Sequence, residues 1–301
     1  MSQLLELLSG PDVFEHRKEI VEYIHNNTEE YGDLVADIFG NDDSDSLQIK
    51  NRLLDLVDLM SDKTALVLMR ETLTDPEERI RVRGLQSVYR RRVDSMNEQI
   101  AEIMLDEDEA FEVRKWAVHI LGSTDPAAFG TVLRRVAKSQ EEDVLLRKEA
   151  IFSLTKVVCD ETIGTLCATL GNSDIEIRKA GAWALANIGS PEGICCLLSA
   201  LEDTNEGVRD WAIRGLRDMD DSRALQGLAD ALHKVEPKEQ VRMIRLVIER
   251  RSEIILRAVA ELLQSPDVGV RRQAAWAMGV SPYPPAIAEL EFLLNDDDDE
   301  V

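Results

Sequence analysis

The chain lacks most of the features that would place it outside the soluble helical class. Its four cysteines, at 159, 167, 195 and 196, are too few for the disulfide framework of a secreted domain. Aromatic residues make up only 5%, and the abundant Leu, Ile, Val and Ala suit helix packing better than a sheet. No apolar run approaches the ~18–20 residues that span a bilayer. The opening MSQLLELLSGPD has neither the basic flank nor the apolar core of a signal peptide. These absences argue against a membrane protein and make the cytoplasm the expected location.

Catalytic signatures are missing as well. There is no H-E-x-x-H, Walker A loop, G-x-S-x-G elbow or G-x-G-x-x-G turn, and the four histidines, at 16, 25, 119 and 233, are scattered. No enzyme activity, cofactor or metal is expected. Basic residues are in deficit: 35 face 58 acidic ones, for a net charge of −23, and 25 of the 35 are Arg. Such a field repels nucleic acid and anionic membranes and favours basic partners.

What the chain does contain is a repeat. About every 31–33 residues an apolar residue is followed by Arg or Lys, by a small residue three later, and by an apolar one seven later. The pattern reads Ile80-Arg81…Gly84…Val88, Val113-Arg114…Ala117…Leu121, Leu146-Arg147…Ala150…Leu154, Ile177-Arg178…Gly181…Leu185, Val208-Arg209…Ala212…Leu216 and Val270-Arg271…Ala274…Met278. Ile49-Lys50…Leu53…Val57 fits one period earlier, and His16-Arg17…Ile20…Ile24 fits loosely before that. Around Val241-Arg242-Met243-Ile244 the register slips by a residue. A fixed period of this length predicts units that bury their apolar faces only against neighbours.

Residues 160–189 show how one unit is built. Asp160 is placed to cap a first helix carrying Ile163, Leu166, Cys167 and Leu170, and Gly171-Asn172-Ser173 ends it. Asp174 then caps a second helix with Ile177, Gly181, Ala184, Leu185 and Ile188 on one face, and Gly189 suits the C′ position. Ser190-Pro191 restarts the cycle. Asp143, Asn205 and Asp267 repeat the second-helix cap, and Pro126 marks another first helix. The small residue at the third position allows close approach, so bulk there would pry repeats apart. The expected fold is all-α, a right-handed α-solenoid of stacked αα-hairpins.

The units Asp174-Ile-Glu-Ile-Arg-Lys-Ala-Gly-Ala-Trp-Ala-Leu-Ala-Asn-Ile-Gly189 and Asp267-Val-Gly-Val-Arg-Arg-Gln-Ala-Ala-Trp-Ala-Met-Gly279 resemble HEAT repeats, in particular the short phycobilisome-lyase type. The resemblance covers about residues 45–295. The expected organisation is a divergent helical cap over 1–45, a HEAT-like solenoid over 46–295, and an acidic disordered tail over 296–301 that has the charge to fold back over a basic groove. The resemblance implies that second helices line a concave surface. It also directs attention to deoxyhypusine hydroxylases of this fold, whose iron is held by His-Glu dipeptides; this sequence has none.

On each second helix, the positions two, five and nine after the Arg form a stripe that packing does not dictate. All four tryptophans fall on it, and its charges, counted over the stripe, come to about +2 in a protein of −23. Trp and Arg are the residue types enriched at binding hot spots. The candidate partner-binding residues are Arg83, Arg90, Trp116, His119, Phe152, Lys156, Trp183, Trp211, Arg214 and Trp276. Arg90-Arg91-Arg92 is the densest basic run, with Asp94 and Glu98 as nearby acids. The recurring Arg itself reads as structural, forming a ladder with carboxylates of neighbouring units.

The function read from these residues is a non-enzymatic scaffold or adaptor holding a protein or peptide on a Trp/Arg-lined face. Resemblance to bilin lyases supplies the alternative, a groove that holds a tetrapyrrole with Arg on its propionates and Trp on its rings. Nucleic-acid binding, as in the HEAT-like alkylpurine DNA glycosylases, is disfavoured by the charge. Cys167 and the Cys195-Cys196 pair fall at nearly equivalent positions of consecutive first helices, close enough to leave open a shared metal or cluster. No C-x-x-C spacing supports one.

Overall fold

A computed structural model describes every residue except Met1, Pro11, Asp12, Phe14, Asp42, Asp299 and Glu300. The described residues form nineteen α-helices joined by short turns, with no strand, in two compact units, Met1–Val132 and Leu133–Val301. No helix among them is long and apolar enough to cross a membrane.

The first unit contains α1 (Ser2–Ser9), α2 (Arg17–Asn26), α3 (Thr28–Phe39), α4 (Ser44–Leu56), α5 (Asp62–Thr72), α6 (Glu78–Arg91), α7 (Asn97–Leu105) and α8 (Phe111–Thr124). From α3 onward these pair as hairpins, with α3 packed on α5 in one layer and α4, α6 and α8 packed in succession in the other. The second unit opens with α9 (Gly130–Lys138), whose first turn precedes the unit boundary. It continues through α10 (Val144–Leu154), α11 (Asp160–Thr169), α12 (Ile175–Ile188), α13 (Ile194–Ala200), α14 (Glu206–Asp218), α15 (Ser222–Leu232), α16 (Pro237–Val247), α17 (Glu253–Glu261), α18 (Val268–Val280) and α19 (Ile287–Leu293). Here α10, α12, α14, α16 and α18 pack in succession, as do α13, α15 and α17 on the other side. Each unit is thus a stack of helix hairpins, as an α-solenoid requires.

The periodic residues are what the stack buries. Ile80, Val88, Val113, Leu121, Leu146, Leu154, Ile177, Leu185, Val208, Leu216, Val270 and Met278 are all at most 3% exposed. Each buried aliphatic side chain contributes roughly 1.5–3 kcal/mol. The small third position works differently from the expectation. A Cβ on Gly84 would overlap Thr72 Oγ1, and one on Gly181 would overlap Thr169 Oγ1. The close approach therefore lies inside a hairpin. Between hairpins there are tight contacts at Gly215, where a Cβ would stand 2.7 and 2.8 Å from Ala186 Cβ and Cα, and at Gly227, where one would overlap the Leu198 side chain.

Caps follow the sequence in the second helices and depart from it in the first. Asp143, Asp174, Asn205 and Asp267 each accept backbone N–H bonds at the starts of α10, α12, α14 and α18. Gly189 closes α12 in the left-handed region, at φ 63°. Asp160, expected as a cap, is instead the first residue of α11, with Cys159 at the N-cap. Pro126 begins a turn four residues before α9 and does not begin the helix. Ser190 gives its hydroxyl to Glu192, leaving Pro191 to start a 3-10 turn that leads into α13.

The recurring cation forms the ladder. Arg178 and Arg271 grip Asp203 and Asp296 with Nε and Nη2, and Arg209 grips Glu239 the same way. Arg81 reaches Glu109 at 2.6 Å, and Lys50, in the Arg position of an earlier hairpin, lies 2.8 Å from Asp75. In each Arg case Nη1 also donates to carbonyls of its own hairpin's loop, as Arg178 does to Asn172 and Ser173. The apparent slip near Val241 is resolved by Gln240, 31 residues after Arg209. It is buried and donates to Leu232 O at 3.0 Å, while Arg242 bridges Asp210 and Glu239. Asp296, counted with the acidic tail, is the last rung, its side chain 8% exposed. Asp299 and Glu300 of that tail lie outside the described residues.

These rungs carry a pH signature. Burial pushes the Asp203 carboxyl up, but hydrogen bonds from Arg178 and from the Asn205 N–H outweigh it, so the group titrates below the usual aspartate range. Arg271 holds Asp296 low in the same way. A depressed folded pKa gives stability that is present above the unfolded value of about 3.9 and is lost as pH falls through the folded one. Melting temperature should therefore be insensitive to these groups from pH 7 to 5 and fall below about pH 4. Replacing Asp203 with Asn should flatten the acid limb, and an unchanged limb would show that the rung adds nothing.

Candidate functional site

Six of the ten candidate residues gather in two places, one in each unit. In the first unit Trp116 and His119 lie one turn apart on α8, with ring centroids 5.6 Å apart. Tyr89 of α6 completes the cluster, 6.3 Å from Trp116 and 5.0 Å from His119. Arg83 and Arg90 do not join it. Arg83 bonds Asp55 and Asn51 of α4, and Arg90 lies 3.3 Å from Asp58. The acids this run meets are thus not Asp94 or Glu98: Arg90 lies by Asp58, before α5, and Arg91 bonds Asp62 at the start of α5 in its own hairpin. Arg92 ends α6 in the left-handed region, at φ 54°.

In the second unit Phe152 of α10 meets Trp183 of α12 edge to face, with centroids 4.8 Å apart. Trp211 of α14 stands next in the row, and the Arg214 guanidinium lies 5.4 Å from its ring, a cation–π distance. Phe152, Trp183, Trp211 and Ala180 line a cleft of about 400 Å3, rimmed by Lys148, Glu176 and Lys179. Both lysines bond Glu176, at 2.8 and 3.0 Å, and those hydrogen bonds hold its carboxyl below the usual range. The arrangement is an apolar, aromatic floor with one carboxylate clamped between two ammonium groups at its edge.

None of the four indoles is sealed in the stack. Trp116, Trp183 and Trp211 are half-buried, and Trp276 of α18 is 49% exposed. Trp276 makes no ring contact with another described aromatic. Lys156 lies in the turn after α10, past the end of the helix. Of the ten residues, then, Phe152, Trp183, Trp211 and Arg214 form one row, Trp116 and His119 form another cluster, and Arg83, Arg90, Lys156 and Trp276 stand apart. Tyr89, Lys148 and Lys179 were missed. The two lysines had a legible signal, since Lys115, Lys148 and Lys179 each directly follow a ladder Arg.

The cysteines take a simpler form than a shared metal site. Cys167 of α11 and Cys196 of α13 are joined as a disulfide, linking consecutive first helices. Cys195 is exposed, and Cys159 lies beside Arg134 and Thr162. Among the described residues no three His, Cys, Asp or Glu side chains converge as metal ligands.

Residues 133–217, 165–239 and 225–301 match a family model described as HEAT repeats, which together spans more than half of the chain. The chain belongs to the HEAT-repeat family. The match is to HEAT repeats in general and does not single out the phycobilisome-lyase type. Among solved structures, the Kap95:Nup1 complex is similar over all of this chain and 49% of that one, with 13% identity and a TM-score of 0.59. Yeast importin-β (Kap95p) is similar over the same shares, with 14% identity and a TM-score of 0.57. A Kap121p mutant is similar over 91% of this chain and 36% of that one, at 12% and 0.53. This chain spans about half the length of the importin-β structures. At these identities the likeness establishes the HEAT fold. No curated protein matches the sequence.

Proposed function

We propose that this HEAT protein is a non-enzymatic scaffold that holds a partner polypeptide on the α10–α12–α14 face, seating an apolar or aromatic side chain between Phe152, Trp183 and Trp211. The observation that carries the reading is the convergence of three aromatic rings from three successive hairpins on one open cleft of about 400 Å3. A residue that serves only to pack two hairpins needs no open space in front of it. Lys148 and Lys179 at the cleft, with Arg214 over the Trp211 ring, would orient a partner carrying acidic residues, despite the overall charge. A HEAT solenoid neighbour is recorded in complex with Nup1, which is in keeping with a partner-holding role. The Tyr89–Trp116–His119 cluster would serve as a second contact.

Changing Trp116, Trp183 and Trp211 together to Ala tests this. Hot-spot tryptophans each contribute about 2 kcal/mol or more, so partner affinity should fall by well over a hundredfold while helicity by circular dichroism is kept. Proteins captured by the wild-type chain from its host should disappear from the capture by the variant. An unchanged capture profile from a fully helical variant would rule out this face.

A further inference from the structure

The rung at Arg147 has no acid among the described residues. The carboxylates of Asp75, Asp203 and Asp296 each stand 25 residues after their cation, at Lys50, Arg178 and Arg271. In each, Oδ1 also accepts the backbone N–H two residues on, from Glu77, Asn205 and Asp298. The same place after Arg147 is occupied by Asn172, whose Oδ1 keeps the loop bond, accepting from Asp174 N–H at 2.9 Å. The other side of the amide is therefore a donor, where the sister rungs present a carboxylate oxygen.

Arg147 is left facing it. The residue is 6% exposed, Nε makes a long 3.4 Å bond to Ala137 O, and neither terminal nitrogen bonds a described residue. Burial weighs against its charge, and Asp174 only partly offsets this. The Asp174 carboxylate is already engaged as the cap of α12. Arg147 and Asn172 open on a cleft of about 420 Å3 between the α9–α10 and α11–α12 loops, with Lys138, Gln140, Thr165 and Thr169 among its lining and no acidic residue. Two cations without an acid form an exception in a chain of net charge −23.

We propose that this cleft binds a single carboxylate, which accepts from the Arg147 guanidinium and the Asn172 amide and so completes the open rung from outside. The planar fork of Arg suits a carboxylate, and three sister rungs show the same cation position taking one. The large negative charge of the chain disfavours a dianion. The carboxylate comes either from a small organic acid or from an acidic side chain of a polypeptide. The site is independent of the aromatic cleft.

The test follows the Arg147 Nε–H signal by NMR in the full chain during titration with sodium acetate, with a blocked Gly-Asp-Gly tripeptide, and with inorganic phosphate, all at constant ionic strength. A saturable shift with acetate assigns a free acid. Saturation with the tripeptide at tenfold lower concentration assigns a polypeptide side chain. Asn172→Asp supplies the carboxylate internally and keeps Arg147, so it should weaken either probe by at least about tenfold and raise the melting temperature by about 2–4 °C. Arg147→Met removes that reporter, so it is read on the Asn172 side-chain amide, whose signal should no longer shift with either carboxylate. No saturation by either carboxylate, tighter binding of phosphate, or undiminished binding in Asn172→Asp would overturn the proposal.

Discussion

Replacing Lys50 with Met is expected to destabilise the first unit by about 3–5 kcal/mol, among the largest effects of any single substitution in the chain. The Lys50 and Asp75 side chains are 2% and 0% exposed, with Nζ 2.8 Å from Oδ2 and 5.3 Å from the centre of the Phe39 ring. Methionine keeps the length and apolar stem of lysine and removes only the ammonium. Asp75 would be left as a buried carboxylate held by one backbone N–H, from Glu77. The cost is that of an orphaned charge, and it exceeds what the pair contributes over an apolar replacement. The double change Lys50→Met, Asp75→Asn should therefore recover much of the loss. Denaturant unfolding read by circular dichroism separates the cases. A loss below about 1 kcal/mol in the single variant would mean that water reaches the pair in solution.

Why Lys50 could be placed from sequence while the unit at residue 240 could not is a matter of how many constraints act on one position. Ile49, Lys50 and Val57 match the repeat, Leu53 stands in the place of the small residue, and all four are buried. At residue 240 the Arg is replaced by Gln. Matching on the cation moved the frame to Arg242, although the period pointed to 240, and Met243 and Val247 are buried at its third and seventh positions. Spacing was the stronger guide because helix packing tolerates a change of donor more readily than a change of phase.

The face was legible to the level of the helix and no finer. The stripe rule put Trp183, Trp211 and Phe152 on one layer because every second helix repeats the same rotation. It could not show that Arg83 is tied to Asp55, since an ion pair between hairpins depends on side-chain reach across the stack. Tyr89 was missed because it sits eight residues after Arg81, just off the stripe, and joins Trp116 from a different helix. The open rung at Asn172 was invisible for the opposite reason. It becomes evident only when the acids of the other rungs have been assigned to their cations.

Reducing the Cys167–Cys196 bond should lower the stability of the second unit by about 3–4 kcal/mol, the loop-closure value for a 29-residue separation, and its melting temperature by roughly 10 °C. The bond joins α11 to α13, so it fixes two consecutive hairpins of a stack whose units are otherwise held only by their neighbours. Both cysteines are half-buried and thus within reach of a reductant. Such a bond is unexpected in the cytoplasm, because reducing compartments hold such pairs as thiols. The protein in a reducing compartment would be the less stable form, with α11 and α13 coupled by packing alone. Melting curves with and without reductant measure the difference, and the pair Cys167→Ala, Cys196→Ala should melt with the reduced protein. If reductant leaves the wild-type curve in place, and free-thiol titration shows the bond was opened, packing between α11 and α13 already supplies the whole of the coupling.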